Sequence, residues 1–270
     1  MPSSPKTIIV TGSTRGIGYG IAASLLEREC NVVLSGPRQA DCDSAAASLR
    51  ELASSKGEVL PVSCDVTSER DVENLWQAGV EAFGQVDIWL NNAGLALTGK
   101  QLADLPSEEF ATMLNVNLLG AMHGCKVAFN GMKDRGGAIY NMLGAGWDAK
   151  PVPGMIGYAS SKAGLTFMHR SFAMEAEGSN VRVNAFAPGV VMSDGFMREQ
   201  ARSKGGLSPE RRSVLNIIGD HVETIADWVA ETMLNHQGHA ELFNWLTPAR
   251  IAERQAMTPP RDVLSRYELA

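Results

Sequence analysis

Residues 7–20, TIIVTGSTRGIGYG, constrain this chain more than any other stretch: an apolar run breaks at three glycines and resumes with helical spacing. The β-branched residues of 7–11 suit a strand buried on both faces of a parallel sheet. Gly12, Gly16 and Gly18 lack the side chains that would obstruct a tight turn, a close approach of backbone to phosphate, or a helix packed hard on the strand. A helix opening near Gly16 aims unpaired N–H groups and its positive dipole end at such a phosphate. A glycine trio after a strand is also compatible with a simple turn, and the spacing here is GxxxGxG rather than GxGxxG.

Beyond this unit the pattern keeps alternating. Apolar runs predict strands at residues 31–35, 59–63, 86–90, 138–142, 181–186 and 241–245. Helical spacing predicts helices over 41–53, from Ser68 to about residue 83, 107–131, 158–175 and 223–234. Ser68 precedes Glu69 and Asp71, where negative charge suits a first turn, and SEEF at 107–110 has the form of a capping box. Strands alternating with helices imply right-handed crossovers: an α/β fold of the Rossmann type, a doubly wound parallel sheet with helices on both faces and ligands at the carboxyl ends of the strands. A chain of 270 residues fits a single domain over 1–250. The regular pattern fades over 188–216, which suits a substrate-covering lid at about 190–217. Residues 251–270 carry a PP break and mixed charge, as expected of a surface-packed tail or an oligomer contact.

Net charge is -6 and the basic residues are scattered, so no nucleic-acid footprint is expected. Cys30, Cys42, Cys64 and Cys125 lack metal-ligand spacing and read as buried or incidental thiols. His169, His221, His236 and His239 have no ligand partners at metal spacing, so no metal is expected. The N-terminus leads at once into the first strand without a signal segment, and no apolar run is long enough to span a membrane. The expectation is a soluble, cytoplasmic protein, or a chloroplast one whose transit peptide has been removed.

Reduction of a carbonyl by hydride needs a proton donor whose pKa is held near the working pH. Tyr158 and Lys162 lie four apart on a predicted helix, so an ammonium can stabilise a phenolate; the same spacing is also common in surface pairs. YASSK at 158–162 follows the glycine loop and NNAG at 91–94, and precedes VNAFAPG at 183–189. In that order these motifs resemble those of the short-chain dehydrogenase/reductase family over about the first 190 residues. The resemblance implies Tyr158 as acid/base, Lys162 as the group that lowers its pKa, and Asn117, rather than Asn115, as the anchor of a proton relay. It also implies a cofactor site built from Gly12, Ser13, Thr14, Arg15, Gly16, Ile17, Gly18, Asp65, Val66, Asn92, Ala93, Gly94, Pro188, Gly189 and Val191, together with Tyr158 and Lys162. Asp65 has a second reading, as a turn residue opening a helix. Homodimers or homotetramers, with the Tyr158 helix at an interface, are a further implication.

An acidic residue at the end of the second strand would favour a ribose 2′-hydroxyl and repel a 2′-phosphate. That position is Gly36, whereas Arg15 and Arg38 stand nearby, so NADPH is the expected cofactor; arginines so placed can also be merely solvated. The serine usual in the family after strand five is missing, with Leu143 and Gly144 in its place. NMxGAGxD, followed by PxP and YxxxK, resembles the chlorophyll b reductase branch, which has a serine where this chain has Trp147. Segments 215–226 and 244–251 extend that likeness. It implies NADPH-dependent reduction of the 7-formyl group of chlorophyll(ide) b, with Gly144, Trp147, Asp148, Met155, Met192 and Phe196 as substrate-site candidates. Those methionines and aromatics read equally as core or lid packing. Other readings are a reductase of another bulky aldehyde or ketone, and an NADPH-binding protein with little turnover.

Overall fold

A computed structural model of the chain describes residues 5–52, 57–197 and 207–267. The first six strands are β1 Thr7–Val10, β2 Asn31–Gly36, β3 Val59–Ser63, β4 Ile88–Asn91, β5 Gly137–Met142 and β6 Val181–Ala187. After a short parallel pair, β7 Val190–Met192 and β8 Gly219–His221, comes β9 Leu242–Asn244. The main sheet has seven strands in the order β3-β2-β1-β4-β5-β6-β9, all neighbours parallel, so the direction of winding reverses between β1 and β4. The Rossmann-type expectation holds.

Alternation along the strands sorts the core into two layers. Ile8, Val10, Val32, Leu34, Leu90, Tyr140 and Phe186 face α1 Gly16–Glu27, α2 Gln39–Leu52 and a later helix over Val222–Asn235. Ile9, Val33, Trp89, Ile139 and Val183 face α3 Glu69–Phe83 and the helices that carry the candidate site. Each such buried side chain contributes roughly 1.5–3 kcal/mol, against about 0–1 kcal/mol for a surface ion pair, so this apolar sorting sets the positions of the loops above the sheet. All four cysteines are unpaired thiols buried among these layers.

Several boundaries move. The strand expected at 86–90 is β4, two residues later at its start, and the last strand is shorter than 241–245. Ser68 caps α3 as expected, accepting from the Asp71 amide. The capping box at 107–110 does not form: Ser107 is already helical, and Pro106 holds the cap position without a side-chain bond. The helix expected over 107–131 is three pieces, α4 Ser107–Leu114, a π-helical turn Asn115–Leu119 and α5 Gly120–Met132. The next helix, α6 Ile156–Glu175, carries Tyr158 and Lys162.

The segment that reads as patternless contains β7 and most of α7 Pro209–Ile218, followed by β8, α8 Val222–Asn235 and α9 Pro248–Gln255. Residues 198–206 of the expected lid, and Ala53 of the second helix, lie outside the described residues. Both unforeseen helices carried a signal in the sequence. Ser208 and Thr247 each precede a proline and cap the helix by accepting from the amide three residues on.

Candidate active site

The loops after β1 and β4, at the reversal point, are bolted to each other. Thr11 Oγ1 accepts from the amides of Asn92 and Ala93, each at 3.0 Å, and donates to the Leu90 carbonyl. Asn92 Nδ2 donates to the carbonyls of Thr11 (2.9 Å) and Gly12 (3.0 Å). Gly12 sits at φ +62°, and a Cβ there would come within 2.7 Å of the Ala93 Cα. A Cβ on Gly18 would strike the Asn92 amide and lie 2.6 Å from the Gly12 carbonyl. The glycines are thus required by the packing of loop on loop.

Helix α1 begins after Arg15, which is extended and makes no side-chain cap. Its first N–H groups therefore remain for an anion, the arrangement a dinucleotide pyrophosphate requires. Gly16, at φ +59°, has a left-handed backbone that favours glycine, and a Cβ there would touch Ser193 Cβ at 3.6 Å. Ile17 packs on the core. Ser13 is buried and its groups are spent: Oγ donates to the Val10 carbonyl (2.6 Å) and accepts from the Ser35 amide, and its own amide donates to Ser35. It shapes the loop.

Thr14 fills the space over Gly36, where a Cβ would lie 2.8 Å from its methyl group, so no carboxylate side chain fits there as the loop stands. Arg15 is exposed. Arg38 is exposed too, and its Nε and NH2 both meet Asp41 Oδ2, at 2.8 and 2.7 Å. Asp65 accepts from the Thr67 amide and hydroxyl, so it does serve as the turn residue opening α3. Val66 is buried against Gly120. Pro188 is buried and Gly189, at φ +75°, turns the chain from β6 into β7, where Val191 is buried.

The catalytic candidates converge from α6, the π-helical turn and the loop after β4. Lys162 is 3% exposed, and its Nζ donates to the Met142 carbonyl at 2.9 Å and lies 5.8 Å from the centre of the Tyr158 ring. Desolvation pushes its ammonium down to about 8. A Cβ on Gly94 would lie 3.5 Å from Asn117 Oδ1 and 3.7 Å from Lys162 Nζ. Asn117 is fully buried: Oδ1 accepts from the Leu95 amide (2.7 Å), and Nδ2 donates to the Leu95 carbonyl and to Ser161 Oγ, both at 2.9 Å. Ser161 in turn donates to the Tyr158 carbonyl at 2.6 Å. The asparagine side chain therefore ties the loop after β4 to the helix of Tyr158.

The loop after β5 closes over the tyrosine. A Cβ on Gly144 would collide with the Tyr158 hydroxyl, so that position admits no side chain as the loop stands. The amides of Trp147 and Ala149 are spent inside the turn, on the carbonyls of Gly144 and Gly146. Asp148 lies at the surface 2.8 Å from Lys150, whose hydrogen bond holds its carboxyl below the ordinary value. An ionised Asp148 accepts hydrogen bonds and donates none.

The other substrate candidates divide. Trp147 is half-buried against a pack that includes Leu143 and Leu165, and Met155 is half-buried at the start of α6. Met192 is fully buried in a small apolar pack with Leu207, Leu215, Val263 and Leu264, and Phe196 leans on that pack. An open groove of about 810 Å³ runs between residues 99–102, the loop 146–154 and the Ile156, Ala159, Ser160 and Ala163 face of α6; Leu102, Val152 and Ile156 supply apolar surface, and neither Tyr158 nor Lys162 lines it. Among the described residues no group of three His, Cys, Asp or Glu could hold a metal.

The arrangement has known counterparts. The family model described as short chain dehydrogenase matches residues 6–204. A chlorophyll(ide) b reductase of Arabidopsis thaliana is 32% identical over 83% of this chain and 64% of its own length. A 3beta-hydroxysteroid dehydrogenase of Eggerthella lenta is 31% identical over 88% of this chain and 91% of its own. The chain spans about half to two thirds of the length of the chlorophyll(ide) b reductases it matches. A crystal structure of a short chain dehydrogenase from Mycobacterium smegmatis covers 91% of this chain and 93% of its own at a TM-score of 0.73 and 24% identity, a likeness of fold.

Proposed function

Since the chain belongs to the short-chain dehydrogenase family, whose oxidoreductases interconvert CH–OH and C=O with a nicotinamide cofactor, we propose that it is an NADPH-dependent reductase of a bulky carbonyl. The leading substrate is the 7-formyl group of chlorophyll(ide) b, reduced to hydroxymethyl. The observation that carries the chemistry is Lys162, buried and desolvated beside the Tyr158 ring. With its ammonium at about 8, the site keeps a positive charge next to the phenol at neutral pH, which favours the phenolate that proton donation leaves behind. Tyr158 Oη gives its proton to the carbonyl oxygen, and a bound nicotinamide would supply the hydride. The uncapped start of α1 would hold the pyrophosphate, and Lys162 the nicotinamide ribose. Because Gly144 admits no serine, the second hydrogen bond to the carbonyl falls to a backbone amide of the loop 144–146.

The preference for NADPH rests on the filled position at Gly36 and on Arg15 and Arg38. Arg38 must share its guanidinium between Asp41 and the 2′-phosphate. The tetrapyrrole rests on the matches to chlorophyll(ide) b reductases. The steroid dehydrogenase match favours a second reading, another bulky ring carbonyl. The absent serine favours a third, cofactor binding with little turnover.

One experiment sorts them: oxidation of NADPH and of NADH by the protein with chlorophyllide b, wild type beside Tyr158→Phe, products identified by absorption and mass. Loss of the phenol is expected to cut turnover about 10²–10⁴-fold while NADPH still binds. Equal use of NADH would sink the cofactor assignment. No 7-hydroxymethyl product from wild type would withdraw the tetrapyrrole, and inertness toward a steroid and aldehyde panel as well would leave the binding protein.

We also propose self-association through α5 and α6. Their outer face carries Phe167 and Met174, each 75% exposed, beside an apolar hollow of about 640 Å³ lined by Met122, Phe129 and Phe172.

A further inference from the structure

The C-terminal residues, to which the sequence assigns no role, converge on one buried carboxylate. Asp220 lies in β8, in register with Val191 of β7, and is 3% exposed. Its Oδ2 accepts from Trp245 Nε1 at 2.7 Å, Arg254 NH2 reaches both oxygens at 2.8 Å, and Arg261 NH2 reaches Oδ1 at 2.9 Å. The two guanidiniums donate onward to the end of α7: Arg254 to the Ile217 carbonyl, and Arg261 to those of Asn216 and Ile217. Carbonyls at a helix end lack intrahelical partners, so these bonds anchor it. Asn216 Oδ1 accepts from the amides of Val263 and Leu264, whose side chains complete the apolar pack around Met192 and Leu215. Finally, the Tyr267 hydroxyl donates to the Met192 carbonyl at 3.0 Å, with His221 Nδ1 at 3.2 Å.

Every one of these bonds joins the last part of the chain to β7, α7 or β8, which lie within or directly follow the segment expected to cover the substrate. β7 leads straight into Ser193, which faces Gly16 of the phosphate loop. A buried carboxylate that loses a partner leaves a charge uncompensated, so the seat of these arginines has no cheap half-open state. We propose that residues 245–267 form a strap that fixes the height of the substrate wall above the cofactor cleft, with Asp220, Arg254, Arg261 and Tyr267 as positioning residues for the carbonyl substrate. The strap goes beyond the choice of carbonyl and holds whichever one is reduced.

The test uses full-length Arg261→Ala, Arg261→Lys and Tyr267→Phe, saturated with NADP⁺. Amide exchange at residues 190–192 and 209–221 is expected to quicken about tenfold in Arg261→Ala, less in Tyr267→Phe, and to be partly restored by lysine, while β1 and β4 stay protected. With chlorophyllide b, KM is expected to rise about fivefold with kcat and NADPH affinity within twofold of wild type. Unchanged exchange in both Arg261→Ala and Tyr267→Phe overturns the strap. So does exchange that rises equally across the central sheet, or NADPH affinity that falls in step with KM. A wild type that leaves chlorophyllide b untouched counts against the tetrapyrrole alone, and the exchange pattern then decides.

Discussion

Lys162 holds a charge where desolvation opposes it, and that opposition has a pH signature. Its folded pKa, about 8, lies below the ordinary lysine value, so the unfolded chain binds the extra proton between about pH 8 and 10.5. Burying the charged form costs about 3 kcal/mol below pH 8, a cost that fades as pH rises through that window. Lys162→Met should therefore be more stable than wild type at pH 7.5, with the gap narrowing by pH 9.5, as read from urea midpoints at both values. A gap that stays constant or widens would mean that the bond to Met142, not desolvation, governs this side chain. The proximity of Lys162 to Tyr158 was legible because spacing of four on a helix is a local property. Gly144 against Tyr158 was not: a missing serine can be read in a sequence, whereas the absence of room for one depends on how the loop closes over α6.

Among the elements, the break between α4 and α5 shows most plainly what sequence reading misses. Residues 107–131 have helical spacing throughout, and nothing in them announces that the Gly120 amide will reach back five residues to Asn115. The π-helical turn places Asn117 inward, where its amide spans the loop after β4 and α6. Asn117→Ala strands the amide and carbonyl of Leu95 and frees Ser161, so a loss of roughly 2–4 kcal/mol is expected in denaturant unfolding, with turnover falling further than stability explains. Full activity in a folded Asn117→Ala would remove the residue from the site. The strands of the main sheet, by contrast, were legible to within two residues, because burial on both faces writes continuous apolar runs; the short β7 and β8 were not. α7 and α9 were hidden in polar sequence, visible only through Ser-Pro and Thr-Pro starts.

At the scale of the whole molecule, sheet order puts the proposed cofactor site at the reversal point between β1 and β4, and α5 and α6 carry apolar residues on their outer surface. Phe167 stands in that surface, so Phe167→Asp is expected to convert the associated form to monomer, with mass read by light scattering at micromolar concentration. A wild type that is itself monomeric would dispose of the interface. No described helix is long and apolar enough to cross a membrane.

The buried thiols have a practical corollary. Cys30, Cys42, Cys64 and Cys125 are all enclosed, and burial pushes each thiol up, to about 12 for Cys64 and Cys125. Little thiolate exists at neutral pH and none of it is presented to a reagent. The native protein is accordingly dark to maleimide chemistry, and a single cysteine placed on the exposed side of α9 would give a fluorophore one address, from which the seating of the strap could be watched in real time.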